Sequence, residues 1–243
     1  MSDFTRASAL LAQAGHIAVM TGAGVSAESG IPTFRGPGGL WRGRDPMTLA
    51  APEAFAADPG LVWEFYNWRR ALVARAVPNP AHIALVELAR RVPRLTLITQ
   101  NVDRLHQRAG SRDVLELHGN LAEVRCLGCG ATEDRSGESL PPLPQCGTCG
   151  TLVRPAVVWF GESLPGDVWL AAESAVRTAD LVLVVGTSAV VYPAAGLIAT
   201  ARRAGAAVIE VNLEPTPASG SVAIGLYGKA GEILPRLVTG ASS

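Results

Sequence analysis

The chain has 243 residues, 48% of them apolar and only 17% charged, enough to bury one large core with a small satellite. Lys+Arg and Asp+Glu balance at 21 each, which excludes a broad electrostatic surface for nucleic acid or an anionic membrane. Four histidines, His16, His82, His106 and His118, are the candidates for a base near neutral pH.

Residues 1–12 carry Asp3 and Arg6 and no apolar run of signal-peptide length, and no apolar stretch is long enough for a membrane span. A cytoplasmic location is therefore expected. Short apolar or β-branched runs then predict buried parallel strands at His16–Thr21, 95–99, 114–117, Leu181–Val185 and 207–211. Helical periodicity lies between them at Pro80–Arg91, 167–178 and 193–204. This alternation predicts a doubly wound α/β sheet, in which ligands bind beyond the carboxyl ends of the strands.

The residues just after each strand are polar or small: Gly22-Ala23-Gly24-Val25, Gln100-Asn101-Val102-Asp103, His118-Gly119-Asn120, Gly186-Thr187-Ser188 and Asn212-Leu213-Glu214. All of them are expected to converge on one crevice. The first cluster suits a pyrophosphate held on backbone N–H groups, although its third glycine, Gly30, comes too late for the usual G-x-G-x-x-G. Gly186-Thr187-Ser188 supplies a second donor-rich turn, and Asn212 is placed to hydrogen-bond a ribose. Asn101 and Asp103 are two apart, which in extended backbone points both side chains to one side. Asp103 also suits the N-cap of a helix starting near Arg104.

All four cysteines stand as Cys126-x2-Cys129 and Cys146-x2-Cys149, the spacing of a four-thiolate zinc site; a disulfide framework is the alternative. Four cysteine ligands leave no open position, so such a zinc is structural and the chemistry lies elsewhere.

Together these motifs resemble the sirtuins, NAD-dependent protein lysine deacylases. The resemblance is carried by Gly22-AGVSAESGIPTF-Arg35-Gly36, Thr99-QNVDRLH-Gln107, Leu117-HG-Asn120, the cysteine quartet, Val158-WFG-Glu162, Gly186-TS-Ala189 and Val211-Asn212, running from about residue 15 to the end. It implies one catalytic unit: a Rossmann-like NAD-binding domain over 1–36, 80–120 and 156–243, carrying a small domain made of a helical insertion (37–79) and a zinc module (121–155). NAD would be cosubstrate and one zinc structural, with an extended acyl-lysine peptide as partner, no nucleic acid or membrane, and a monomer as the expected state.

By resemblance, the acyl oxygen attacks C1′ of the nicotinamide ribose, nicotinamide leaves, and the acyl group passes to the 2′-hydroxyl. His118 is then the general base, with Asn101 and Asp103 shaping the nicotinamide and ribose site. The implied cofactor-binding set is Gly22, Ala23, Gly24, Glu28, Thr33, Phe34, Arg35, Trp41, Gln100, Asn101, Val102, Asp103, Gly186, Thr187, Ser188, Asn212, Leu213, Glu214 and Ala230. At Ala230 many relatives have cysteine, a change that backbone contact with adenine survives. Val158, Trp159, Phe160, Gly161 and Glu162 form the expected substrate strand, after a Pro155 that marks a sheet edge, with 190–193 on the other side of the cleft.

The helix-like run 61–71 holds Tyr66 and Arg69 at i,i+3 on one face. A Tyr-x-x-Arg pair at this place in the sirtuins that remove succinyl and malonyl groups binds the distal carboxylate, so an acidic acyl preference with residual deacetylation is expected. Without the family context, the pair reads as packing and solvated surface. The rival functions are a principal deacetylase, a mono-ADP-ribosyltransferase, and a non-catalytic NAD-dependent sensor or zinc-ribbon module.

Overall fold

The computed structural model describes residues 1–33 and 41–240. Its strands are β1 (His16–Thr21), β2 (Arg94–Thr99), β3 (Leu115–Glu116), β4 (Gly119–Cys126), β5 (Thr132–Asp134), β6 (Val153–Val157), β7 (Leu181–Val185), β8 (Ala207–Asn212) and β9 (Ile224–Tyr227). Its helices are α1 (Asp3–Gln13), α2 (Pro46–Leu49), α3 (Pro52–Ala57), α4 (Pro59–Arg75), α5 (Pro80–Arg91), α6 (Leu105–Ala109), α7 (Gly166–Thr178), α8 (Gly196–Arg203) and α9 (Ala230–Thr239).

Six strands form a wholly parallel sheet in the order β3-β2-β1-β7-β8-β9. Both faces are covered, which is why β1 and β7 read as unbroken apolar runs. Side chains alternate across the sheet: Ile17 and Val19 join a core with α1, α5 and α9, whereas Ala18 and Met20 join one with α7 and α8. The strand order reverses direction between β1 and β7, and there the sheet opens a crevice. Register aligns the strand ends, since Thr21 pairs with both Thr99 and Val185, and Val185 with Val211. Their trailing residues therefore meet at one level.

Several elements differ from the sequence expectation. The edge strand β9 is added, short and interrupted by Gly225, so it carried no strand signal. Strand β3 shrinks to two residues. Helix α1 precedes the motifs that carry the resemblance; Ser2 caps it by accepting from the Thr5 N–H, and Ala7 and Leu11 pack into the core. In place of a helix opening at Pro193, turns precede α8.

The small domain pairs a three-stranded antiparallel sheet, ordered β5-β4-β6, with α2, α3 and α4. Pro155 lies on the edge strand β6, opposite Val124. Asp58 caps α4 through the Leu61 N–H at 2.9 Å, with Pro59 at the first helical position. Val62, Trp63, Phe65 and Tyr66 then make one buried stripe on Val124, Cys126, Cys146, Val153 and Trp159. Each such side chain contributes roughly 1.5–3 kcal/mol on burial. Arg70 is no solvated surface residue: it donates to the carbonyls of Leu121, Arg135 and Glu138, tying α4 to the cysteine segment.

At the switch point two glycine turns touch. The Gly24 N–H donates to the Gly186 carbonyl at 2.8 Å, and a Cβ on Gly186 would stand 2.3 Å from the Val25 nitrogen. Gly186 also has φ +59°. The variant Gly186→Ala is expected to lose about 2 kcal/mol or more, lowering the melting temperature by about 4–8 °C. An unchanged melting curve contradicts this packing.

Candidate active site

Backbone geometry builds the first wall of the crevice. Residues 22–30 do not open an α-helix: Ala23–Ser29 is a tight 3-10 turn closed by Gly30 at φ +83°. The late glycine thus ends the turn. Gln100 donates to Thr187 Oγ1 at 3.0 Å and Asn212 Nδ2 to the Thr187 carbonyl at 2.9 Å, which lashes three strand ends together. Asn212 Oδ1 also accepts from the Leu213 N–H. Ser188 stays exposed, as do Leu213 and Glu214.

Beneath these turns lies a buried polar network. Ser26 Oγ donates to Asp103 Oδ2 at 2.7 Å and accepts from Asn101 Nδ2 at 3.1 Å. Asp103 Oδ1 accepts from the Leu105 N–H at 2.9 Å, so this carboxylate does face both the crevice and a helix start; Arg104, at φ +56°, makes the turn between them. His82 Nδ1 accepts from the Asn79 N–H, so its Nε2–H points at Ser26, 3.4 Å away. Thr21 donates to Thr99 and must accept from His106 Nε2 at 2.9 Å, leaving His106 Nδ1 bare. Burial pushes His82 down to about 4, against the pull of Asp103. It pushes His106 to about 3, with His82 adding to the fall. Both rings are neutral at pH 7, and each donor has one direction open to it.

His118 stands at the end of β3. Its Nδ1 lies 3.0 Å from the Gln100 carbonyl, which can only accept, so Nδ1 carries the proton and Nε2 a free lone pair. Burial lowers its pKa below 6.5, with the Gln100 bond opposing. The ring is therefore a neutral base at physiological pH. Gly119, at φ +67°, follows; a Cβ there would meet the Ala156 carbonyl at 2.1 Å, so only glycine lets β6 come alongside.

Other expected site residues fall elsewhere. Phe34, Arg35 and Gly36 lie outside the described residues. Trp41 is buried in the small-domain core, edge-on to Phe65, with its face covered by Arg42. Glu28 accepts from the Gly231 N–H at 2.8 Å, beside the buried Ala230, and so braces the glycine turn on α9. Thr33 is partly buried. Val102 offers its carbonyl to the Leu121 N–H, joining crevice to small domain.

The expected substrate strand is a strand only as far as Val157. From Val158 to Glu162 the chain turns, because its donors are already taken: Val158 N–H by the His118 carbonyl, Phe160 N–H by that of Ala50, and Trp159 N–H by Glu162. Glu162 is bound by Arg154, and the Trp159 ring is buried. Phe160 and Gly161 remain outward, with Tyr192 76% exposed. Tyr66 is buried, its hydroxyl accepting from Trp159 Nε1 at 2.8 Å. The Arg69 guanidinium lies 5.8 Å from the Tyr66 ring centre. Burial lowers the Arg69 pKa, while Tyr66 and Asp103 act to raise it.

At the far end of β4 the four cysteine sulfurs lie within 4.8 Å of one another, with Cys126–Cys149 at 3.4 Å and Cys129–Cys146 at 3.8 Å. No pair is at the bonded distance of a disulfide. A tetrahedral zinc with bonds of about 2.3 Å needs sulfurs about 3.8 Å apart. Backbone N–H groups of Gly128 and Cys129 point at Cys126 Sγ, and that of Thr148 at Cys146 Sγ, as thiolate ligands require. The set fits one zinc ion.

A sequence model of the Sir2 family matches residues 22–193, from the first glycine turn through the cysteine module to the loop beyond Gly186. The chain belongs to the Sir2 family. It is 53% identical over 231 residues to the NAD-dependent protein deacylase 2 of Pyrobaculum aerophilum, covering 94% of this chain and 92% of that one. Among solved structures, a Sir2 homolog–NAD complex superposes with a TM-score of 0.91 at 50% identity, covering 97% and 92% of the two chains. A Sir2–p53 peptide–NAD+ complex gives 0.86 at 35% identity, with 96% and 95% covered.

Sequence reasoning missed Ser26, His82 and His106 in this Sir2 chain. Ser26 stood inside the glycine motif and His82 follows the Asn79 cap, yet no spacing reveals that three segments meet. For the cysteine site, Cys149→Ser is expected to lose bound zinc by elemental analysis together with the folded signal of the small domain. A metal-free variant that keeps full turnover and fold contradicts the structural assignment.

Proposed function

We infer that this protein is an NAD-dependent protein lysine deacylase that prefers succinyl- and malonyl-lysine to acetyl-lysine. Sir2 membership and relatives of that name along almost their whole length support the first part. One observation supports the second: Arg69, half-buried on α4, stands with its guanidinium 5.8 Å from the Tyr66 ring centre. A guanidinium beside a phenol favours a carboxylate, whereas an acetyl methyl offers neither group a partner.

The residues that would hold NAD lie on the Gly22–Gly24 turn, where the Gly22 and Gly24 N–H groups are bonded to the Val185 and Gly186 carbonyls and that of Ala23 would meet the cofactor, with Gly186, Thr187, Ser188 and Asn212 opposite. When bound, NAD would supply a ribose that loses nicotinamide and takes up the acyl group, with one water consumed as the lysine amine is freed. His118 Nε2 accepts the proton of a ribose hydroxyl, held in that role by the Nδ1–H bond to Gln100. Asp103, with both oxygens engaged, is a fixed negative charge rather than a mobile one. Outward Phe160 and Gly161 would supply one side of a peptide cleft, and residues 190–193 the other.

His118→Ala is expected to fold and bind NAD while turnover falls by about 10²–10⁴-fold. Because burial disfavours the imidazolium, wild-type kcat/KM should hold its plateau down through pH 6.5 and fall only below it. An acid limb centred above 6.5 assigns the base to another group.

For the acyl preference, one lysine peptide in acetyl, malonyl and succinyl forms is followed by mass spectrometry with and without NAD. Acidic groups should leave faster, only with NAD, and Arg69→Met should abolish the difference. If acetyl leaves fastest, the protein is a deacetylase; ADP-ribose on protein without loss of acyl marks a transferase.

A further inference from the structure

The mechanism above leaves unused an anchored aromatic side chain next to the acyl pair. Trp159 is 2% exposed and fixed from every side. The Arg154 guanidinium lies 3.4 Å from its ring centre, Phe55 packs at 5.2 Å, and the Trp159 backbone N–H is held by Glu162 Oε2 at 2.8 Å. Glu162 is itself gripped by Arg154, whose second nitrogen reaches Oε2 at 2.9 Å and the Val157 carbonyl at 2.9 Å. Such a clamp spends a buried ion pair on one indole, and the indole aims its single donor, Nε1, at Tyr66 Oη.

A phenol oxygen has two lone pairs and one proton. Trp159 fills one lone pair, and the Arg69 guanidinium lies 5.8 Å from the ring centre. With the indole N–H fixed on its oxygen, the hydroxyl turns its own proton away from Trp159, and a donor suits a carboxylate. We propose that Trp159 is a positioning residue for acyl selectivity, its indole N–H fixing Tyr66 so that the phenol O–H is offered to an acidic acyl terminus. Trp159 follows Val158, whose N–H is bonded to the His118 carbonyl, so the acyl end and the base are set by adjacent residues of one turn.

The proposal rests on the acidic preference above, and the test separates the two. kcat/KM is measured with succinyl and acetyl forms of one peptide for wild type, Trp159→Phe, Tyr66→Phe and the double variant. Trp159→Phe is expected to lower the succinyl-to-acetyl ratio about tenfold, mainly through KM for the succinyl peptide. The double variant should match Tyr66→Phe alone, since Trp159 acts through the phenol. Benzothienylalanine at position 159 keeps the ring shape, replaces N–H by sulfur, and should give the same fall even if the phenylalanine variant does not fold. An unchanged ratio, an equal loss on both peptides, or additive losses in the double variant overturns the proposal. A wild type that prefers acetyl overturns the acidic reading and this inference with it.

Discussion

Everything in the crevice depends on two backbones meeting without side chains between them. Gly24 and Gly186 close the gap between β1 and β7, where the sheet reverses its order, and a methyl on either would strike the other's chain. Because the gap is closed by peptide groups, the turns are rigid, and Gln100, Thr187 and Asn212 can be cross-bonded without strain. The neutral histidines below complete the same logic. Donors with one permitted direction hold Ser26, Asn101 and Asp103 in place, and that preorganisation is what polar catalysis in a dry site requires.

The small domain follows a different principle. Neither α4 nor the cysteine segment could bury its apolar face alone, so the two insertions share one core, with Trp63 donating to the Val153 carbonyl at 2.9 Å across it. Arg104 then fastens the domain to the sheet through Glu116, Glu123 and Asp134. The cysteine quartet, the aromatic core and Tyr66 are parts of a single packed layer.

Much of this was legible in the residues. The strands around the switch point announced themselves because burial on both faces leaves continuous apolar runs, and Pro80–Arg91 was marked by its helical periodicity. Cys126, Cys129, Cys146 and Cys149 were legible because metal chemistry fixes local spacing. Less legible were contacts made only by tertiary folding: His82 beside Ser26, Glu28 on α9, Trp41 in the aromatic core, and the turn at Val158. In the last case the resemblance implied a strand, but three backbone donors had partners within the chain. Strand β9 was hidden for a similar reason, as an edge position tolerates a weak sequence.

The shared core has a bearing on how such a protein can be rebuilt. Tyr66 presents its hydroxyl to Trp159 while its helix packs in one core with Cys126 and Cys146, so α4 and the cysteine module are two halves of one mould. Grafting residues 37–79 from a relative of different acyl taste would place a foreign face on an unchanged cysteine sheet. An exchange that respects the packing moves 37–79 and 121–162 together, and leaves the parallel sheet as a chassis that accepts either pair.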